Sequence, residues 1–293
     1  MPAHHPDPRH RRLPGDGWAQ CACGREHWGV FGAAGLLVWR SSGNGHQVVL
    51  QHRADWTHHG GTWGIPGGAL SGTESSIDGA LREAVEEAGL VTSAVQVRAD
   101  RTLVHPNWSY TTVVAEAIAP WQPAVTDAES HEVRWIDLAE VEQLPLLPAF
   151  AAALPELRTM LGRLVVVVDA ANVVGSRPDG WWSDRRGATA GLRDHLAELA
   201  GTGLPADAVG LPGGTWYPEF VLVTEGAARG IEPAEGVRVV TAAGSGDDAV
   251  VAAVAEQADA PGTLLRVATA DRELGSRVAS FGAEMISPRL VRH

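Results

Sequence analysis

The sequence predicts two folded units in tandem, an α+β unit with a mixed sheet followed by an α/β unit with a mainly parallel sheet. Three observations predict this. The chain has 293 residues, about twice a common domain length of roughly 150 residues. Its first half sets short strand-like runs around one amphipathic helical stretch, the texture of a mixed sheet with a helix packed on it. Its second half alternates apolar strand runs with helical stretches in a regular rhythm, as parallel α/β sheets do.

Taken in order, residues 1–17 read as a disordered lead, rich in Pro, His and Arg and without hydrophobic periodicity. The first domain is expected over 18–160. Apolar runs at 30–40 and 47–51 precede a Gly-rich stretch at 60–72, a helix at 75–88, and strand-like runs at 95–104, 111–118 and 132–136. Residues 138–163 read as helix broken by Pro145, Pro148 and Pro155, with a linker near Gly162. The second domain, 164–293, reads as strand 164–168, helix 186–200, strands 219–224 and 237–241, helix 247–257, strand 264–268, helix 272–280 and strand 283–286.

Composition removes several function classes. All 23 basic residues are arginine, so Schiff-base chemistry, Walker-type phosphate loops and lysine-assisted aspartyl-phosphate chemistry are excluded. The net charge of -12 is evenly spread, with 12 arginines against 18 acids in 1–163 and 11 against 17 in 164–293. That balance argues against duplex DNA as a partner, because such binding neutralises many phosphates. It leaves metal-bridged phosphate chemistry open. The first residues lack the apolar core of a signal sequence and no run of 18 apolar residues follows, so no membrane and a cytoplasmic setting are expected. Cys21 and Cys23, one residue apart, suit a reduced compartment.

In the 75–88 stretch Ile77, Leu81, Ala84 and Ala88 share one helix face, and Glu83, Glu86 and Glu87 cluster on another. Ser75 with Asp78 reads as a capping box, and Gly89 stands where a left-handed residue ends a helix. Two carboxylates about 4 Å apart repel by roughly 4 kcal/mol at an effective dielectric near 20. A divalent cation that takes hard oxygen ligands, such as magnesium, relieves that repulsion and bridges to phosphates. A solvated acidic face explains Glu-x-x-Glu-Glu taken alone.

The surrounding residues point further. Gly68, then Glu74, then Arg82-Glu83-Ala84-Val85-Glu86-Glu87-Ala88-Gly89-Leu90 fill every signature position of a pattern that resembles the Nudix box. The loop Thr62-Trp63-Gly64-Ile65-Pro66-Gly67-Gly68 resembles the segment that enters it. The resemblance spans about residues 28–155. It implies an α/β/α sandwich with a mixed sheet, and hydrolysis of a nucleoside diphosphate linked to another group by water attack at phosphorus with Mg2+ or Mn2+. It further implies Glu83, Glu86, Glu87 and the Gly68 carbonyl as metal ligands, with Glu83 or Glu86 orienting or deprotonating the attacking water. Arg82 and Glu74 become supports of the loop. Family members often add an acid from a later loop; Glu129 is the candidate, with Glu116 and Glu132 as rivals.

Bases and sugars need another surface. Trp28, Trp56, Trp63 and Trp108 read equally as stacking platforms or as core; Trp63 and Trp108, with Gly67, are the substrate-binding candidates. Cys21-x-Cys23 with His27 invites zinc, but three ligands at a nonstandard spacing fall short of a structural site, and inert thiols are expected.

In the second half Asp169 ends the apolar run 164–168, with Asn172 three residues on; Asp247 and Asp248 open a helix, and Asp271 follows the strand at 264–268. Strand carboxyl ends line one crevice in such sheets, so Asp169 and Asp271 should approach there, joined by Asp247 or Asp248. The alternative is that these aspartates cap helices. Gly244-x-Gly246-x-x-Ala249 imitates a dinucleotide fingerprint, but two aspartates at the helix start would repel a pyrophosphate. The set Val-Val-Asp169-Ala-Ala-Asn172, Gly-Asp247-Asp248 and Ala-Asp271-Arg272 resembles the NYN branch of PIN-like ribonucleases over about 164–290. It implies metal-dependent RNA cleavage with Asp169, Asp248 and Asp271 as ligands, Asp247 as alternate and Asn172 as a positioning group. Trp181-Trp182 and Arg185-Arg186 would then meet single-stranded RNA. An RNA-binding module without cleavage, and an RNA-processing fusion whose first half trims 5′ ends, are the other readings.

Overall fold

Why the first unit needs a sheet covered on both faces is visible in one strand. Ala33 to Trp39 is buried without interruption, a continuous apolar run that only a central strand accommodates. The computed structural model describes residues 14–43, 45–176 and 184–292. They fall into two compact units, Met1–Leu161 and Gly162–His293. Residues 1–13 of the expected lead, and Trp181 and Trp182, lie outside the described residues.

Residues 14–17 correct the expected disordered lead. The Gly15 carbonyl accepts from Val30 N–H and the Gly17 carbonyl from Gly29 N–H, so ordered chain starts before residue 18. An antiparallel hairpin follows, β1 (Trp18–Gln20) with β2 (Glu26–Trp28). Next come β3 (Ala33–Ser42), β4 (Gly45–Arg53), β5 (Trp63–Gly64), β6 (Gly67–Ala69), α1 (Ser76–Ala88), β7 (Val95–His105), β8 (Trp108–Ala117), β9 (Ser130–Asp137) and α2 (Pro148–Thr159). Within this unit the sheet runs β7-β8-β3-β4-β5, with β6 on β3 and β9 on β4. β3 and β8 are parallel and the other pairings antiparallel, a mixed sheet.

Strand alternation puts Ala34, Leu36 and Val38 on one face of β3, and there they meet Ala80, Ala84 and Ala88 of α1 in a common core. Small residues on the helix let it lie close to the strand. Pro155 corrects the expectation of a broken helix, because α2 runs through it. The proline stands on the exposed side, where solvent satisfies the freed carbonyl, while Phe150, Ala153, Leu154 and Leu157 hold the helix by burial.

The second unit contains β10 (Arg163–Asp169), α3 (Ala170–Gly175), α4 (Arg185–Thr202), the short antiparallel pair β11 (Leu204–Pro205) and β12 (Thr215–Trp216), then β13 (Glu219–Thr224), β14 (Val237–Thr241), α5 (Gly246–Ala258), β15 (Thr263–Ala268), α6 (Arg272–Ala279) and β16 (Glu284–Ile286). The order β14-β13-β10-β15-β16 is parallel at every pairing. The carboxyl ends of β10, β13 and β15 therefore share one edge. Among the described residues no helix is long and apolar enough to cross a membrane.

Candidate active site

α1 is fixed at both ends before any acid is considered. Ser75 accepts from the Asp78 N–H and its hydroxyl donates to the Asp78 carboxylate at 2.7 Å, while Gly89 closes the helix in the left-handed region at φ 63°. That register turns Glu83 and Glu87, one helical turn apart, inward, where they are 9% and 4% exposed. Glu86 faces outward, its side chain 45% exposed.

Arg82 organises the rim. Its fork donates to Glu74 through Nε at 3.1 Å and Nη2 at 2.7 Å, to the Ala69 carbonyl at 3.0 Å, and through Nη1 to Glu83 at 2.8 Å. Nη1 also lies 3.5 Å from Glu86. Glu74 in turn accepts from the Ser71 N–H at 2.6 Å. The hydrogen bonds to Glu74 raise the Arg82 pKa, and those from Arg82 hold Glu74 below the usual carboxylate range. Gly67 N–H donates to Glu87 Oε2 at 2.8 Å. A Cβ on Gly68 would lie 2.4 Å from Glu83 Oε1, so a side chain there would displace the Glu83 carboxylate.

Burial pushes the Glu83 carboxyl up to about 7 against the opposing charge of Arg82. Burial also drives Glu87 well above the ordinary carboxylate range, helped by the charges of Glu83 and Asp127. Tyr110 is raised by burial and by the charges of Glu87 and Glu83.

Asp127 and Arg53 are the site residues that sequence reasoning missed. The segment leading to Asp127 is tied to the end of α1. Trp121 Nε1 donates to the Gly89 carbonyl at 2.9 Å, Ala124 N–H to the Ala88 carbonyl at 3.1 Å, and the Thr126 hydroxyl to the Glu86 carbonyl. Arg53, at the end of β4, opposes the rise of Glu87. Neither residue stands in a signature; backbone hydrogen bonds and strand ends deliver both.

A NUDIX domain model matches residues 31–157. A protein of Mycobacterium tuberculosis named "Putative 8-oxo-dGTP diphosphatase 3" is 45% identical over 155 residues, covering 50% of this chain and 71% of that one. The chain belongs to the NUDIX family. A nucleoside triphosphate pyrophosphatase/Nudix hydrolase fusion protein of Bifidobacterium longum is 46% identical over 158 residues, covering 50% of this chain. The matched segment spans a third of that relative's length. Among solved structures, the Nudix hydrolase RenU of M. smegmatis is 41% identical, with 49% of this chain and 93% of that one covered and a TM-score of 0.46.

Within the NUDIX unit, Glu83, Glu86, Glu87 and the Gly68 carbonyl offer oxygen donors of the kind a hard divalent cation takes. Burial raises both carboxyls, and the neighbouring carboxylates add to the rise, which is the electrostatics such a cation fits. The later-loop candidates separate. Glu116 is bound by Arg98 at 2.6 Å and Glu132 by Arg134 at 2.8 Å. Glu129 donates its N–H to Asp127 Oδ1 at 3.1 Å, and it is Asp127 whose charge reaches Glu87.

Trp63 and Trp108 are not open stacking faces. Trp63 is buried, with His52 stacked on it at 4.8 Å and Arg134 over its ring at 5.1 Å. Trp108 carries His27 stacked at 4.3 Å and donates Nε1 to the Gly29 carbonyl at 3.0 Å. Gly67, the third candidate, touches Glu87 directly.

In the second unit Asp169 and the Asp271 backbone both meet the Thr269 hydroxyl, and the charges of Asp247 and Glu225 act on Asp169. Asp169 caps α3, accepting from Asn172 N–H at 3.1 Å and from the Thr269 hydroxyl at 3.2 Å. Its carboxyl is raised, mainly by burial and further by the charges of Asp247 and Glu225. Asn172 Oδ1 accepts from Ala270 N–H at 2.9 Å. Asp271 instead caps α6 through the Glu273 and Leu274 N–H groups. Asp248 pairs with Arg277 at 2.5 Å. Glu225, unmarked in sequence, accepts from Gly246 N–H at 2.9 Å and thereby takes the helix start that imitated a pyrophosphate site. Arg186 donates to the Gly230 carbonyl at 3.0 Å.

Proposed function

We propose that the first unit hydrolyses a nucleoside diphosphate linked to another group, by attack of water at phosphorus with Mg2+ or Mn2+ bound. The first unit is an enzyme acting on phosphoanhydride bonds. The observation that carries the finer reading is the pair of buried carboxyls, Glu83 and Glu87, with Glu83 packed directly against Gly68. The cation would neutralise the diphosphate and lower the pKa of attacking water. Glu83, Glu87 and the Gly68 carbonyl anchor it, while Glu86, open to solvent, orients or deprotonates the water. Arg82 holds Glu83 and Glu86 to one side of the site, and Asp127 adds a carboxylate from the loop. Arg53, whose charge reaches Glu87, would supply a cation for substrate phosphate.

The name of the M. tuberculosis relative supports an oxidised purine nucleoside triphosphate as substrate. Phosphate release from a panel holding 8-oxo-dGTP, dGTP, ADP-ribose and a dinucleoside polyphosphate tests the assignment. Glu86→Gln should lower magnesium-dependent turnover by about 10²-fold or more with an unchanged circular dichroism spectrum. Undiminished turnover in that variant, or no hydrolysis of any panel member, would remove the reading.

A second reading concerns the other unit, where Asp169 ends a strand at the carboxyl edge of a parallel sheet and feels the charges of Asp247 and Glu225. We propose that this edge binds a divalent cation and cleaves single-stranded RNA, as the resemblance to NYN proteins suggests. The full chain with labelled single-stranded RNA and Mn2+ should give cleavage that Asp169→Asn abolishes. Binding without cleavage would make the unit a recognition module instead.

A further inference from the structure

The strongest group of ligating side chains outside both acidic sites lies where the β1–β2 hairpin meets the turn of the β7–β8 hairpin. Cys21, Cys23, His27 and His105 offer two sulfurs and two imidazole nitrogens, all within 4.8 Å of one another. We propose that these four residues bind one zinc ion, which clasps the β1–β2 hairpin to the turn of the β7–β8 hairpin.

Local geometry brings three of them together. The chain reverses tightly after Cys21: Gly24 N–H donates to the Cys21 carbonyl at 2.9 Å, Cys21 N–H to the Arg25 carbonyl at 3.0 Å, and Gly24 takes φ 83°. The return strand then carries His27 opposite Ala19, and Cys23 Sγ sits 3.2 Å from His27 Nε2. The fourth ligand comes from far along the chain. His105 and Trp108 face each other at the tip of β7–β8, and Asn107 between them fastens that tip to the first hairpin. Its Oδ1 accepts from Ala22 N–H at 2.8 Å and its Nδ2 donates to the Gln20 carbonyl at 2.8 Å. The His27 and His105 rings are consequently 4.4 Å apart.

Bond lengths of about 2.3 Å to sulfur and about 2.0 Å to nitrogen put the ligand atoms of a tetrahedral zinc site roughly 3.3–3.8 Å from one another. The observed spread needs a closure of about 1.5 Å at most, which side-chain torsions supply. Two thiolates with two imidazoles are the soft and borderline donors zinc takes, in contrast to the oxygen donors around Glu83. Binding releases one proton from each thiol, so Zn2+ with two thiolates and two neutral imidazoles carries no net charge. Such a neutral cluster suits a site where Cys21 is buried and both histidines are half-buried. His27 is also braced from outside by the stacked Trp108 ring, the kind of support that orients a ligand imidazole. Sequence alone showed three ligands; the hairpin contact supplies the fourth.

Elemental analysis of the full chain, expressed with zinc and dialysed, should give one zinc per chain. Cys21→Ser with Cys23→Ser, and separately His105→Asn, should lose it, while Glu86→Gln should retain it. In wild-type protein both thiols should resist Ellman's reagent until a chelator is added. Exchange with Co2+ should give the visible absorption of a tetrahedral cobalt site together with thiolate charge transfer, a readout that needs no variant. Thiols that react at once in zinc-supplied protein, zinc that survives both variants, or cobalt without thiolate charge transfer would each overturn the proposal.

Discussion

Arg82 makes contacts that its neighbours in the box cannot replace. Its planar fork binds both oxygens of Glu74, reaches the Ala69 carbonyl and still pairs with Glu83; a lysine ammonium is a point charge and cannot span that set. Arg82→Lys should therefore lower stability by about 1–3 kcal/mol, seen as a lower urea midpoint, and reduce turnover with it. An unchanged midpoint would mean that the Glu74 loop is held by other contacts. Gly68→Ala tests the opposite wall, where the added methyl meets Glu83 Oε1; weaker Mg2+ binding by calorimetry is expected, and equal affinity would show that Glu83 swings aside freely. At this scale the box residues were legible, because chemistry fixes residue type at fixed spacing. The division of labour was not: three glutamates look alike in sequence, and only packing turns Glu83 and Glu87 inward and leaves Glu86 outside. Asp127 escaped notice because its position depends on Thr126 and Ala124 binding the end of α1.

Elements long enough to show a period were read from sequence, and the shortest were not. α1 announced itself through Ser75, Gly89 and its apolar stripe, and the second unit through its alternation. β1, β2, β5 and β6 span two or three residues each, too few for a period-two pattern to emerge, and their pairing comes from turns and from β3 and β4. Four short elements thus decide where Gly67, Gly68 and Cys21 lie. α1 itself offers the cleanest test at this scale. Gly89 sits at φ 63° with its N–H bonded to the Ala84 carbonyl and its carbonyl bonded to Trp121. Gly89→Ala forces a side chain into the left-handed region, beside Thr126, at a cost of about 1 kcal/mol. A lower midpoint in chemical denaturation is expected, with a further loss of turnover because the segment carrying Asp127 hangs from this same end. Full turnover at reduced stability would separate that segment from the site.

The whole molecule carries a net charge of -12, and its buried carboxyls make folding sensitive to protons and to divalent ions together. In metal-free protein the Glu83 carboxyl titrates near 7, chiefly because it is buried, whereas the unfolded chain gives up that proton near the ordinary value of 4.5. Between those values the folded state binds more protons than the unfolded state, so stability falls as pH rises. The loss is complete above about pH 7 and is on the order of 3 kcal/mol for this group. Glu87 is displaced in the same direction, as is Asp169 in the second unit. A divalent cation held by Glu83 and Glu87 takes the place of the protons, and it competes with them only at low pH. The increase in melting temperature on replacing EDTA by Mg2+ should therefore be small near pH about 5 and clearly larger near pH about 8, where the bare carboxylates are most costly. Glu83→Gln removes the titrating group without removing its volume, so in EDTA its stability should fall less steeply over this range than that of wild type, leaving the contributions of Glu87 and Asp169 in place. Scanning calorimetry of both proteins at the two pH values reads these differences directly. A magnesium effect of equal size at both values would mean that the buried carboxyls of α1 are not where the cation binds.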